Sequence, residues 1–391
     1  MLDKLYFRIF DYVMTSVREG RLKLDMPDRR ERLYGDASAA PLTVRVFDYA
    51  FFKRVIRGAG IGLGESYTEG LWETKDLTGF IEFLIRNKKY FDERIKIFKG
   101  VEHFLSAVRH KLRSNTLQNS VKNIQEHYDL SNDFFALFLD PSMTYSCANF
   151  DAQNNLLELA QANKIRRLAQ SIDIKKADHV LEIGCGWGAF AIQTVRETGC
   201  RWTGLTLSLE QKKWAEQKVA EAGLTEQIEI LLQDYRSIEG RFDKIVSVEM
   251  IEAVGHDFLS VYFDRCGELL KPGGLMALQA ITIPEERYDN YRKNCDWIQK
   301  HIFPGGHLPS LELIQELASH AHLKAQSKIS IGQDYAKTLA IWHETLLKNK
   351  KQLLEKKFDQ SFLRKWQYYF SYCEAGFRAG FIDAYQIVLA K

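Results

Sequence analysis

The stretch Val180-Leu181-Glu182-Ile183-Gly184-Cys185-Gly186-Trp187-Gly188 decides how this chain folds. A short apolar run carrying one acid, Glu182, breaks into three alternating glycines. A second apolar segment, Ala189 to Val195, follows at once. This is the layout of a buried parallel strand turning through a glycine loop into a helix. Glycine supplies turn conformations that other residues resist and lets the backbone approach a ligand closely. The helix N-terminus adds unpaired N–H groups and a positive dipole end. Alone, the spacing leaves a dehydrogenase, a methyltransferase and a plain turn all open.

The surrounding residues narrow the choice. Strand patterns recur at His179–Ile183, Arg201–Thr206, Ile228–Gln233, Lys244–Val248 and Gly274–Ile281, after a helix at about 156–171 and with helical patterns between most of them. The alternation predicts an α/β fold with an open, mostly parallel, doubly wound sheet of Rossmann-like type. Ligands of such sheets sit beyond the C-terminal strand ends. A nicotinamide enzyme would place an acid after its second strand, yet that strand ends Gly204-Leu205-Thr206-Leu207-Ser208. The next ends Leu231-Leu232-Gln233-Asp234-Tyr235, where an aspartate can accept from an adenine amino group. Glu182, the glycine loop and Asp234-Tyr235 together resemble the motif series of class I S-adenosylmethionine-dependent methyltransferases.

The chain has 391 residues, 46% of them hydrophobic, enough for a large core and two domains. Residues 1–122 carry 23 Lys and Arg against 16 Asp and Glu, a net of +7, so the whole-chain +3 leaves −4 for the remainder. A basic N-terminal third suggests an anionic partner, phospholipid head groups or nucleic acid. The six cysteines form no C-x-x-C pair and no zinc-ligand spacing with histidine, so no metal site is expected. Reduced thiols point to the cytoplasm. Charges interrupt the apolar residues of Met1-Leu2-Asp3-Lys4, unlike a signal peptide, and no apolar run is long enough to span a bilayer. A cytoplasmic enzyme peripherally associated with the inner membrane face is the expectation.

Along the N-terminal third, Leu2, Leu5, Tyr6, Ile9, Phe10 and Val13 predict an amphipathic helix, and Leu42 to Val46 a short strand. The aromatic and basic run Phe51 to Gly58 fits either a small core or a lipid-facing surface. Gly60-Ile61-Gly62-Leu63-Gly64 lacks a preceding acidic strand end and reads as a turn. Phe80 to Phe98 reads as helical. The expected organisation is a smaller, mainly helical, lipid- or membrane-associating domain over 1–105, a linker over 106–122 and a catalytic domain over 123–391.

Five segments, in order, narrow the superfamily resemblance: Thr144 to Ala148, Val180 to Gly188, Val248-Glu249-Met250-Ile251-Glu252-Ala253-Val254-Gly255, Ile302 to Ser310 and Tyr372 to Arg378. Together they resemble the cyclopropane-fatty-acyl-phospholipid synthases, densely over 123–391 and loosely before. The resemblance implies transfer of the S-adenosylmethionine methyl to the cis double bond of an unsaturated phospholipid acyl chain, with ring closure and release of S-adenosylhomocysteine. It places cofactor contacts on Tyr145, Ser146, Glu182, Gly184, Cys185, Gly186, Gly188, Thr206, Leu207, Gln211, Gln233, Asp234 and Tyr235. It implies a bound bicarbonate as base, held by Cys147, Glu252, Ile281 and Tyr335, with Cys373 matching a cysteine proposed to act in catalysis. It also makes a homodimer plausible. Gln279 departs from the histidine of many bacterial members and is similar to the plant-type enzymes at that position.

The chemistry needs such a site. Attack of an unactivated alkene on the sulfonium methyl leaves a carbocation, and a proton must then leave the new methyl for the ring to close. A base in a dry pocket is required. Glu252 and Tyr335 would orient the bicarbonate, Gln279 would add an amide bond, and Cys147 would line the site. Two alternatives remain. Gln279 motivates a different ending, a methyl-branched or methylene acyl product. The basic N-terminal third motivates a nucleic-acid methyltransferase, against which the apolar stretch Ile298 to Pro309 argues; no nucleic-acid partner is expected.

Overall fold

The computed structural model describes residues 2–95, 131–151 and 155–391. The expected linker 106–122, the tail of the helix expected to reach Phe98 and the start of the expected catalytic domain lie outside the described residues.

The N-terminal residues form a four-stranded sheet, ordered β2-β1-β3-β4, packed with three helices. The strands are β1 (Arg21–Asp25), β2 (Glu31–Gly35), β3 (Pro41–Val46) and β4 (Trp72–Thr74). The helices are α1 (Leu2–Met14), α2 (Ala50–Thr68) and α3 (Leu77–Ile95). The amphipathic first helix and the strand ending at Val46 are therefore present. The glycine cluster is not a turn: Gly60 to Gly64 lie inside α2, which is broken at Ala59 (φ 45°, ψ −127°). Gly62 and Gly64 serve close packing. A Cβ on Gly62 would stand 1.9 Å from the Arg54 carbonyl oxygen, and one on Gly64 would stand 2.4 Å from Trp297 Nε1.

The larger sheet has seven strands: β5 (His179–Ile183), β6 (Arg201–Thr206), β7 (Ile228–Leu232), β8 (Phe242–Val248), β9 (Leu270–Thr282), β10 (Lys324–Ser330) and β11 (Asp383–Ala390). Their order is β10-β11-β9-β8-β5-β6-β7. Every pair from β7 across to β9 is parallel, and β11 runs antiparallel to both of its neighbours. This is the expected Rossmann-like class I methyltransferase sheet. Val180, Leu181, Glu182 and Ile183 are all buried, as a central strand covered on both faces requires. The order reverses between β5 and β8, so their C-terminal ends flank the switch-point crevice where ligands bind. The glycine loop leaves one end and Glu249 the other.

One hydrophobic core joins the N-terminal residues to the C-terminal helices. The helix Gln360–Arg378, capped by Asp359, whose carboxylate accepts from Phe362 N at 2.7 Å, runs between them. On it, Tyr368 packs on Tyr67 and Trp297, and Arg364 donates to the carbonyls of Tyr67 (2.5 Å) and Trp72 (2.7 Å). No helix among the described residues is long and apolar enough to cross a membrane.

Candidate active site

The loop after β5 is built by its glycines. Gly184, Gly186 and Gly188 take φ of +86°, +52° and +87°, values that L side chains resist. A Cβ on Gly184 would approach Met250 Cγ to 2.8 Å. Beside this loop opens a pocket that gathers twelve of the thirteen expected cofactor residues, Tyr145, Ser146, Glu182, Gly184, Cys185, Gly186, Thr206, Leu207, Gln211, Gln233, Asp234 and Tyr235. Gly188 instead caps the helix Ala189–Thr198. Thr206 Oγ1 donates to Gln211 Oε1 at 2.9 Å, fixing the corner beyond β6. Asp234 is already engaged: its oxygens accept from Arg236 Nε (2.8 Å), Nη2 (2.7 Å) and backbone N (2.9 Å). Glu182 accepts from Trp202 Nε1 at 2.9 Å, and burial pushes its carboxyl up to about 8.

The pocket also holds a cation that the sequence reading missed. Lys164, on the helix Leu157–Ser171, is buried and donates to Ser146 Oγ at 2.6 Å. Burial pulls its ammonium down to about 8, against the attraction of Glu249. No carboxylate stands within ion-pair distance of it among the described residues. A buried ammonium in a ligand pocket, bonded to one hydroxyl, suits an anionic ligand group such as an amino-acid carboxylate.

Past the glycine loop the pocket meets a second cavity of about 910 Å³, and Tyr145, Glu249 and Ala253 line both. Glu249 follows β8 with φ 51°, a left-handed conformation that costs a non-glycine residue about 1–3 kcal/mol and concentrates at functional sites. Its Oε1 accepts from Cys147 N (2.9 Å) and Gln279 Nε2 (2.8 Å), and its Oε2 from Tyr335 Oη (2.5 Å). Gln279 is oriented in turn by Gln386 Nε2, which donates to its Oε1 at 2.9 Å. Burial pushes the Glu249 carboxyl up, while these three donors pull it down.

This arrangement corrects the expected anion site. The groups expected to hold bicarbonate are spent on side chains of the chain itself: Cys147 N, Gln279 and Tyr335 on Glu249, and Ile281 N on Glu252 Oε1 at 2.5 Å. Bicarbonate does not fit the donors that remain. Cys147 does not present its thiol to either cavity; its Sγ lies 3.1 Å from the Ala148 carbonyl oxygen, and burial keeps it protonated. Gln279 likewise lines neither cavity, its amide being bonded to Glu249.

Glu252 lies in the cavity wall beside Ile281 and Tyr335. Burial first and the neighbouring Glu249 second push it up to about 8, and its Oε2 is buried without a hydrogen-bond partner among the described residues. Three donors converge on Glu249 and none reaches Glu252 Oε2 among the described residues, so Glu249 is the member of the pair equipped to hold a charge. Cys373 also lines the cavity, its thiol pushed up by burial. Apolar side chains in the walls include Ile283, Phe303, Leu308, Leu339 and Phe377. The lining also carries Arg86, Lys88 and Lys89 of α3, Arg287, Asn290 and Asn294, with the acids Asp92, Glu286 and Asp296. Tyr335 is held by stacking on Phe377, ring centroids 4.5 Å apart.

Glu249 and Lys164 are the residues that sequence reasoning missed. Two acids three positions apart, just past a buried strand, were a usable signal for Glu249. A lone lysine in a helix gave none.

Residues 115–387 match the model of the mycolic acid cyclopropane synthetase family. The chain is 40% identical over 351 residues to the tuberculostearic acid methyltransferase UfaA1 of Mycobacterium tuberculosis, covering 88% of this chain and 81% of that protein. It is 36% identical over 354 residues to the cyclopropane-fatty-acyl-phospholipid synthase of Escherichia coli K12, covering 90% and 89%. Among solved structures it is similar to the mycolic acid cyclopropane synthase CmaA1 complexed with S-adenosylhomocysteine and CTAB, with 34% identity, TM-score 0.65, and 69% of this chain and 98% of that one covered. The cyclopropane synthase MmaA2 of Mycobacterium tuberculosis gives 32% identity, TM-score 0.64, and 69% and 98%.

Proposed function

The chain belongs to the mycolic acid cyclopropane synthetase family, and we propose that it transfers the methyl of S-adenosylmethionine to the cis double bond of an unsaturated phospholipid acyl chain and closes a cyclopropane ring. The carrying observation is the meeting of two cavities at one buried carboxylate. The polar pocket at the glycine loop suits a nucleoside with an amino-acid tail, and the long, apolar-walled cavity suits an acyl chain. They touch at Tyr145, Glu249 and Ala253, where donor and acceptor would be held in reacting contact. Such positioning is worth about 7–11 kcal/mol of barrier.

S-adenosylmethionine supplies the electrophilic methyl, and the protein supplies the rest. Ser146, Thr206, Gln211 and the glycine-loop backbone would hold it, and Lys164 would pair with its carboxylate. Apolar walls keep water from trapping the cation. The cations that line the acyl cavity, on α3 and at Arg287, support an anionic phospholipid head group. Peripheral contact with the inner membrane face and a homodimer belong to the same reading.

Gln279 and the names of the relatives, one a fatty-acid methyltransferase and one a cyclopropane synthase, favour a second ending: a methyl-branched or methylene acyl chain from the same methyl transfer. One experiment separates them. The protein is incubated with S-adenosylmethionine and vesicles of monounsaturated phospholipid, and the acyl products are analysed by mass spectrometry before and after hydrogenation. A gain of CH₂ that resists mild hydrogenation as a ring supports cyclopropanation. A product that hydrogenates to a saturated branched chain replaces it with the second ending, and no methylated lipid overturns both.

A further inference from the structure

We propose that Glu249 itself is the base of the reaction, so that this enzyme works without bicarbonate. The inference rests on the methyl-transfer reading and names the proton acceptor within it.

The geometry singles out one oxygen. A carboxylate oxygen offers about two lone-pair sites. Those of Glu249 Oε1 are filled by Cys147 N and Gln279 Nε2. Among the described residues, Oε2 accepts only from Tyr335 Oη and keeps one lone pair for the junction of the two cavities. Three donors hold this carboxylate, whereas Glu252 Oε2 has no donor among the described residues, so a charge is better accommodated on Glu249. The three donors also restrain the carboxylate from approaching the carbocation and being alkylated.

The step balances without any co-reactant beyond methyl donor and alkene. The alkene π pair forms the new C–C bond to the methyl, and the C–S pair stays on sulfur, giving S-adenosylhomocysteine. Glu249 Oε2 takes a proton from the new methyl group. The electron pair of that C–H bond closes the ring onto the cationic carbon. Glu249, now a neutral acid, returns the proton to water when the product leaves.

The test uses the full chain in buffer freed of carbon dioxide, with S-adenosylmethionine and vesicles of monounsaturated phospholipid. Turnover of the native protein is expected to change by less than twofold when millimolar bicarbonate is added. Glu249→Gln is expected to lose at least a hundredfold in turnover while binding S-adenosylhomocysteine within threefold of the native protein. Glu249→Gly, which relieves the positive φ and opens the cradle, is expected to gain at least tenfold in turnover from added bicarbonate. A native protein stimulated tenfold or more by bicarbonate would overturn the proposal while leaving methyl transfer standing. So would a folded Glu249→Gln variant keeping a tenth of its turnover, or a folded Glu249→Gly variant indifferent to bicarbonate. If a variant fails to bind S-adenosylhomocysteine, the bicarbonate response of the native protein decides. No methylated lipid under any condition overturns the methyl-transfer reading, and the base assignment with it.

Discussion

Tyr335 Oη donates to Glu249 Oε2 at 2.5 Å across the junction of the two cavities, joining a residue of the helix Gly332–Lys348 to the end of β8. A hydrogen bond to a charged acceptor contributes about 1.5–3 kcal/mol. Here it fixes the oxygen that must meet the transferred methyl. Tyr335→Phe removes it while keeping the stack on Phe377. Turnover is expected to fall about tenfold or more, with affinity for S-adenosylhomocysteine unchanged. Calorimetry and single-turnover methyl transfer measure the two, and a fall in affinity with turnover intact would place Tyr335 at the cofactor instead.

Glu252 gives the opposite expectation to Glu249. Its folded value is pushed up to about 8 from an ordinary value of 4.5, because burial and Glu249 both disfavour its charge. Between those values the unfolded chain has released the proton and the folded one has not, so this group erodes stability as pH rises from about 4.5 to 8. The erosion levels off above that range, at a total on the order of a few kcal/mol. Glu252→Gln resembles the neutral acid and cannot ionise. Its melting temperature should therefore pull ahead of the native protein's from pH 5 to pH 8, with turnover at pH 7 within about threefold. A stability gap independent of pH would mean that Glu252 is charged in the folded protein.

Lys164 should reveal itself through the cofactor's tail. Its buried ammonium, bonded to Ser146 Oγ, is placed to gain a carboxylate when S-adenosylmethionine binds. Lys164→Met is expected to weaken S-adenosylmethionine about tenfold or more, which corresponds to roughly 1.4 kcal/mol. Decarboxylated S-adenosylmethionine should bind the native protein and the variant alike. The unliganded variant should melt no lower than the native protein, since an apolar group relieves the desolvation of a buried charge. Equal losses for both ligands would assign Lys164 to holding Ser146 and the pocket wall rather than to the carboxylate.

What was legible in the sequence follows from how local the signals are. The glycine loop, the strand ends at Thr206 and Asp234, and the strand–helix alternation around them are written in contiguous residues with a fixed period. All five catalytic-sheet strands expected from pattern are present, and twelve of thirteen expected cofactor residues share one pocket. Glu249 stood in a quoted motif without a role, because its meaning depends on Cys147, Gln279 and Tyr335, brought together from 30 to 102 positions away. For the same reason Cys147 could be placed near the chemistry but not assigned its backbone amide in place of its thiol. Of the four N-terminal strands only the one ending at Val46 was read. Of the others, β1 alternates as Arg21-Leu22-Lys23-Leu24-Asp25 over only five residues, while β2 and β4, five and three residues long, show no alternation.

Gly64 tests how tightly the N-terminal residues are bound to the rest. It lies in α2, and a Cβ there would stand 2.4 Å from Trp297 Nε1 and 2.6 Å from Tyr368 Cε1. Both aromatic side chains are fully buried, so neither can retreat without moving the helix Gln360–Arg378. Overpacking of this kind costs about 1–3 kcal/mol. Gly64→Ala is therefore expected to lower the melting temperature, whereas Gly60→Ala, whose Cβ meets nothing within 4 Å, should not. Tyr368 and Trp297 also buttress the helices beside the acyl cavity, so Gly64→Ala should depress vesicle turnover more than affinity for S-adenosylhomocysteine. Differential scanning calorimetry and the vesicle assay on the same preparations decide it. Equal melting temperatures for the two variants would show that α2 slides freely on the catalytic helices.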